Sequence, residues 1–304
     1  MPAPNYNSAA SLRAFLEAHG LGMRKKFGQN FLINPAVRQA LVDALDADSD
    51  VWEIGPGLGA MTALLLEKGL SVRAFEIDPG FIRILKELFS GDTHDFTGDT
   101  HGSTGDRHGS AGDTHVFFTL VEGDVLKTWP SQPPSRYLLG NLPYNIAATL
   151  LAQLIEQERF FKRIVVTVQR EVALRMAAAA GSPDYSSFSV LCSSAYRVQP
   201  LMVIKSASFY PRPNVDSQAV LLERREDALT VPSCFYPLVR QLFSSRRKTI
   251  KNNLTGFFAS RNYHAKPAEA AAEALEACAL NGSNRAEALT LDEFLALAKV
   301  IDRG

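Results

Sequence analysis

Apolar positions along the chain switch between a strand period and a helix period, and they do so repeatedly. VWEIG (51–55) is a short apolar run that ends at closely spaced glycines, and AMTALLLEKG after it has helical spacing. SVRAFEID then reads as a strand and PGFIRILKELF as a helix. VFFTLVEGD and RYLLGNLPY are further strands, NIAATLLAQLIEQ a helix, KRIVVTVQ (162–169) a strand and EVALRMAAAA a helix. After a helical SSFSVLCSSAY, two more strands are predicted at RVQPLMVI and SQAVLLERR. This β-α alternation predicts an α/β fold: a Rossmann-like, doubly wound, mostly parallel sheet with helices on both faces. Beyond residue 227 the pattern holds only helices and loops, which predicts a small C-terminal all-helical domain over 228–304. Residues 1–22 form an N-terminal extension with one short amphipathic helix, Leu12, Phe15 and Leu16 on one face and Gly20 as the stop. The sheet domain is expected to cover 23–227.

Residues 91–115 break the pattern. They read GDTHDFT, GDTHGST, GDRHGSA, GDTH, a seven-residue repeat with almost no apolar residue, so a coiled coil is excluded and a flexible surface insertion is predicted. His94, His101, His108 and His115 recur in it, but metal sites need ligands held by a rigid frame, so no metal is expected.

Composition adds less. With 46% hydrophobic and 21% charged residues, the chain has the balance of a soluble globular enzyme. No run is long enough for a membrane helix, and the start lacks the basic-then-apolar order of a secretory signal, so no membrane partner and a cytoplasmic location are expected. Cys192, Cys234 and Cys278 are odd in number and far apart, which argues against a disulfide framework. The net charge of zero hides two basic clusters, Arg24-Lys25-Lys26 and Arg246-Arg247-Lys248 with Lys251.

Two segments carry chemistry. In EIGPGLGAMT (53–62) a strand ends in glycines that let the backbone turn tightly and approach a ligand, and the next helix presents its N-terminus there. Glu76 ends the following strand, 21 residues beyond Gly55, where an acid can accept hydrogen bonds from ribose hydroxyls. That pair indicates an adenosine cofactor without saying which. Asn141-Leu142-Pro143-Tyr144, directly after an apolar strand, narrows the choice, because it has the form used to methylate exocyclic amines. An adenine amine is conjugated with its ring and is a poor nucleophile. The Asn141 side-chain oxygen and the Leu142 carbonyl can hold its hydrogens, favour a pyramidal nitrogen and aim the lone pair at a sulfonium methyl. Pro143 fixes the backbone and Tyr144 offers a flat face for stacking.

With these segments in view, the chain resembles the KsgA family of small-subunit ribosomal RNA adenine dimethyltransferases. RKKFGQNFL (24–32), EIGPGLGAMT, FEID, EGDVL (122–126), NLPYNI (141–146), VQREVALRM (168–176), FYPRPNVDS (209–217) and FSSRRKTIKNNL (243–254) appear in family order. The resemblance implies a class I methyltransferase using S-adenosylmethionine, with contacts from Asn30, Leu32, Gly55, Gly57, Glu76, Asp124 and Asn141. Glu76 would take the ribose hydroxyls and Asp124 the cofactor's adenine amine. Asn141, Leu142, Pro143 and Tyr144 would hold the target adenine, with Phe209 closing its other face. Arg24, Lys25, Lys26, Arg246, Arg247, Lys248 and Lys251 would bind RNA phosphate, the substrate being two adjacent adenosines in the 3′ hairpin loop of small-subunit (16S) ribosomal RNA. The partner implied is that RNA or the immature small subunit, with no obligate protein partner. Trp52, Ala147, Ser186 and Asn214 depart from the family's usual Leu, Ser, Gly and Lys.

Rival readings predict other sequences. A large-subunit (23S) dimethyltransferase of the antibiotic-resistance type would carry a different glycine loop and tail. A non-catalytic ribosome-assembly factor would show damaged cofactor or NLPY segments. A nicotinamide-dependent oxidoreductase has no use for NLPY, and a DNA adenine methyltransferase needs a larger target-recognition domain.

Overall fold

In the computed structural model the residues described are 1–23, 28–47, 49–89, 116–143, 146–226, 231–261 and 266–303. The histidine repeat at 91–115, the first basic cluster Arg24-Lys25-Lys26 and Tyr144 lie outside them.

Nine strands are described: β1 Phe31–Leu32, β2 Asp50–Ile54, β3 Ser71–Glu76, β4 Phe118–Glu122, β5 Tyr137–Asn141, β6 Arg163–Gln169, β7 Tyr196–Ile204, β8 Phe209–Tyr210 and β9 Ser217–Arg224. Seven of them form one sheet in the order β4-β3-β2-β5-β6-β9-β7. β2 pairs in parallel with β3 and β5, β3 with β4, and β5 with β6. The chain runs outward from β2 through β3 and β4, then returns to the other side of β2 at β5. That reversal opens a crevice at the carboxyl ends of β2 and β5, where a doubly wound sheet binds ligands.

Helices precede and separate these strands. In order they are α1 Ala9–Ala18, α2 Pro35–Asp43, α3 Ala60–Glu67, α4 Pro79–Phe89, the single turn α5 Val125–Thr128, α6 Ala147–Glu156, α7 Arg170–Ala177 and α8 Ser187–Ala195. α4 buries Phe81, Ile82, Ile84, Leu85 and Phe89, each worth roughly 1.5–3 kcal/mol when fully removed from water. In α1, Leu12 and Leu16 are buried against Leu58, Phe81 and Ile84, so the N-terminal helix covers the glycine turn after β2. Trp52 is 1% exposed and packs its ring on Phe75 and Phe161 at 5.0 and 5.2 Å. Three elements escaped the sequence pattern. β1 and β8 pair antiparallel over two residues each, too few for any periodicity. α2 has start signals, Asn34 accepting from Val37 N at 3.3 Å and Pro35 in its first turn, but a short apolar face.

Two compact units emerge, one of 1–150, 161–170 and 200–222, the other of 151–160, 171–199 and 223–304. The boundaries expected at 22/23 and 227/228 therefore differ from those of the compact units. Loss of strand signal marks the end of the sheet, whereas compactness follows shared apolar burial. Tyr185 and Val190 lie in one core with Phe235, Leu238, Phe257 and Phe294 of the C-terminal helices α9 Phe235–Phe243, α10 Ile250–Ser260, α11 Pro267–Ala277 and α12 Leu291–Arg303. Within this helical unit the Arg224 guanidinium lies 3.6 Å over the Phe160 ring and donates to Ala195 O at 2.7 Å. No helix among the described residues is long and apolar enough to cross a membrane.

Candidate active site

The carboxyl ends of β2, β3, β4 and β5 converge on one cavity of about 270 Å³. Asn30, Gly55, Gly57, Glu76, Asp124, Asn141 and Pro143, separated by up to 113 positions in the chain, all line it. Gly57 has φ of +60°, and a Cβ there would meet the Phe31 ring at 3.0 Å, so the turn after β2 tolerates only glycine. Gly55, at φ +70°, would meet nothing within 4 Å, so its constraint is conformational alone.

Glu76 sits at the floor. Its Oε1 accepts from Ile77 N at 2.9 Å and Asp78 N at 2.8 Å, and its Oε2 from Gly57 N at 3.2 Å. Burial nevertheless pushes its carboxyl up to about 7, against those three backbone donors. Glu53, fully buried one strand over, is also raised to about 7, by burial first and with the Glu76 charge adding to it. Thr62 Oγ1 donates to Glu53 Oε2 at 2.6 Å, while Oε1 has no partner among the described residues. Asp124 caps α5 by accepting from Leu126 N at 3.0 Å, which fixes its carboxylate at the cavity rim.

Asn141 donates from Nδ2 to Asn30 O at 2.7 Å. This bond sets the orientation of the amide, because a carbonyl can only accept, and Oδ1 is left as the group Asn141 offers to the cavity. Leu142 is 1% exposed, its amide donates to Thr167 O at 3.1 Å, and its carbonyl accepts from none of the described residues. Pro143 O accepts from Ile146 N at 3.0 Å and Ala147 N at 3.2 Å, starting α6.

Three residues expected at the site do not line this cavity. Phe209 is 4% exposed and packed in the hydrophobic core, where its pairing with Leu32 in the β1–β8 ladder holds it; it is absent from the cavity wall. Leu32 borders a smaller adjoining cavity instead, and Leu142 is buried behind the wall. Sequence reasoning missed Ile77, which lines the cavity although 40% exposed, and Phe75 and Phe81 beside it. An apolar residue directly after the acid of FEID was a signal for the first.

The second basic cluster lies in the helical unit, with Arg246, Arg247 and Lys248 on the loop joining α9 to α10 and Lys251 in the first turn of α10. Asn253, 3% exposed, donates to Leu242 O at 2.8 Å and Ser245 O at 3.3 Å, latching the loop. Arg246 Nη2 reaches Pro183 O at 3.3 Å, Tyr185 O at 3.4 Å and Glu287 Oε2 at 3.5 Å. Arg247, Lys248 and Lys251 are exposed and form no ion pair among the described residues.

A sequence profile of the family described as ribosomal RNA adenine dimethylase matches residues 20–95 and 115–302. The chain belongs to that family. Its members are S-adenosylmethionine-dependent methyltransferases, and this chain is an enzyme of that kind. The "Ribosomal RNA small subunit methyltransferase A" of Treponema denticola is 42% identical over 98% of this chain and 96% of its own length. The protein of the same name from Streptococcus pneumoniae is 33% identical over 95% of each. Among solved structures, a dimethyladenosine transferase from Plasmodium falciparum superposes with a TM-score of 0.70 at 24% identity, covering 87% of this chain and 94% of that one. The 23S rRNA methyltransferase ErmE superposes with a TM-score of 0.60 at 21% identity, covering 90% and 99%. Both likenesses bear on the class I fold alone.

Proposed function

We propose that this chain dimethylates N6 of two adjacent adenosines in the 3′-terminal hairpin loop of small-subunit ribosomal RNA, acting on the immature small subunit during ribosome biogenesis. The observation that carries the reading is the amide of Asn141, locked by Asn30 so that its oxygen faces a cavity also lined by Glu76 and Asp124. When bound, S-adenosylmethionine supplies an electrophilic methyl on a sulfonium. The residues present fit it: a turn in which a Cβ at Gly57 would strike Phe31, a buried carboxylate for the ribose diol and a second carboxylate for the adenine amine.

Asn141 Oδ1 and the Leu142 carbonyl then accept the two hydrogens of the target amine, turning its lone pair out of conjugation. Donors and acceptors fixed before the reaction cost no reorganisation in the transition state. Alkylated nitrogen is strongly acidic, so its proton leaves to solvent and no dedicated base is needed. Tyr144 would stack the target base. Phe209, buried in the core, does not fit the second stacking role without moving, and we assign the apolar wall to Ile146 and Phe31, which line the cavity. Arg247, Lys248 and Lys251 would meet phosphate, and no obligate protein partner is invoked. The large-subunit reading is not favoured, since the relatives at 33–42% identity carry the small-subunit name.

The test is transfer of labelled methyl to undermodified small subunits, with the modified nucleoside identified. Dimethyladenosine in the 3′ hairpin loop is expected; methylation confined to large-subunit RNA would refute the target. Asn141→Ala is expected to lower transfer by roughly 10²–10³-fold while RNA binding stays within about twofold. Equal loss of both would remove Asn141 from the chemistry.

A further inference from the structure

Arg38, on α2, is 5% exposed, and no carboxylate pairs with it among the described residues. Its Nη1 donates to Leu32 O at 2.6 Å and Tyr6 O at 3.3 Å, and its Nη2 to Asn7 Oδ1. Its Nε is buried and has no partner among the described residues. A guanidinium held in the interior without a counter-charge is unusual, because burial of a charge is costly unless an opposite charge or a full set of acceptors compensates it.

The side chain borders a cavity of about 40 Å³ whose wall also includes Tyr6 and Leu32. About 10–15 Å³ of such space holds one water molecule, so the cavity suits a group of a few atoms such as a carboxylate. This cavity shares Asn30, Gly55, Gly57 and Asn141 with the larger one, but neither Glu76 nor Asp124. If the adenosine half of the cofactor lies at the ends of β3 and β4 and the reacting methyl beside Asn141, its amino-acid arm has to run past the glycine turn toward Asn30. The backbone of β1 is turned the same way. Ile33 N donates to Ser208 O at 2.8 Å, so the polar groups of Leu32 face away from β8, and its carbonyl is the one Arg38 holds.

We propose that the small cavity seats the carboxylate of the cofactor's methionine moiety, with Arg38 as its counter-charge. The inference rests on the reading of the larger cavity as the cofactor site. Arg38 thereby makes the enzyme select ligands that keep the amino acid, and it couples the N-terminal segment to that choice, since Tyr6 O and Asn7 share the guanidinium and Tyr6 Oη donates to Leu58 O at 2.8 Å in the glycine turn.

The test is calorimetric binding of S-adenosylhomocysteine and of 5′-methylthioadenosine, which lacks the amino acid, to the wild-type chain, Arg38→Gln and Glu76→Gln. Arg38→Gln is expected to weaken S-adenosylhomocysteine by about tenfold or more and to leave methylthioadenosine within about twofold. Equal weakening of both ligands, or of neither, would overturn the proposal. Glu76→Gln is expected to weaken both; if it weakens neither, the larger cavity is not the cofactor site and the inference fails with that reading. Should Arg38→Gln not fold, the wild-type chain is compared on S-adenosylhomocysteine and its carboxamide. A loss of about tenfold or more is expected, and equal affinity would overturn the proposal.

Discussion

Cofactor affinity should depend on pH through Glu76. The perturbation is protonation of a carboxyl that burial has raised from 4.5 to about 7. Ribose hydroxyls donate to the ionised form, so binding draws on the deprotonated fraction alone. With the group titrating near 7, about one chain in eleven is ionised at about pH 6 and about ten in eleven at about pH 8, so the apparent Kd should fall roughly tenfold between them. The probe should be 5′-methylthioadenosine, which keeps the ribose diol and adds no titrating amino acid. Glu76→Gln should bind more weakly than wild type at about pH 8, by roughly 10–100-fold for the loss of charge-assisted hydrogen bonds, and its Kd should be flat with pH. A flat wild-type profile, or one that weakens with rising pH, would refute the reasoning. A slope that survives in Glu76→Gln would pass the titration to Glu53.

The sign for stability is opposite. A carboxyl raised in the folded state makes that state bind more protons than the unfolded chain, so its stability contribution is full below 4.5 and is lost as pH rises through about 7. The ligand-free chain should therefore lose stability across that window, by on the order of 3 kcal/mol for each buried carboxyl, and bound cofactor should recover part of it at the upper end.

Two further outcomes follow from the geometry. Gly57→Ala places a Cβ 3.0 Å from the Phe31 ring at φ +60°, so thermal denaturation should show a loss of about 1–2 kcal/mol and cofactor binding should weaken about tenfold or more; an unchanged Kd would separate the turn from the site. The double change Arg247→Ala, Lys248→Ala should flatten the dependence of log K on log salt for RNA binding by about 1–2 without changing Tm, whereas Arg246→Ala should lower Tm because its guanidinium joins Pro183, Tyr185 and Glu287. Identical effects from both would contradict that division.

That division shows where the sequence stops being informative. Arg246 and Arg247 are adjacent, exposed and chemically alike, and nothing in SSRRKT says that the first reaches the carbonyls of Pro183 and Tyr185. The long-period features were readable because each is local: a strand ending in glycines, an acid at the next strand's end and Asn-Leu-Pro after a third strand converge only through the parallel sheet, and the alternation of apolar runs predicts that sheet. The burial of Phe209 was not legible for the converse reason. A two-residue pairing with Leu32 decides its environment, and no periodicity encodes a ladder that short. Arg38 is the extreme case. The sequence pattern predicts no element around it, and two of its acceptors, Tyr6 O and Asn7 Oδ1, come from 32 and 31 positions earlier. A charge becomes informative when burial leaves it without its opposite, and burial is a property of chain segments brought together.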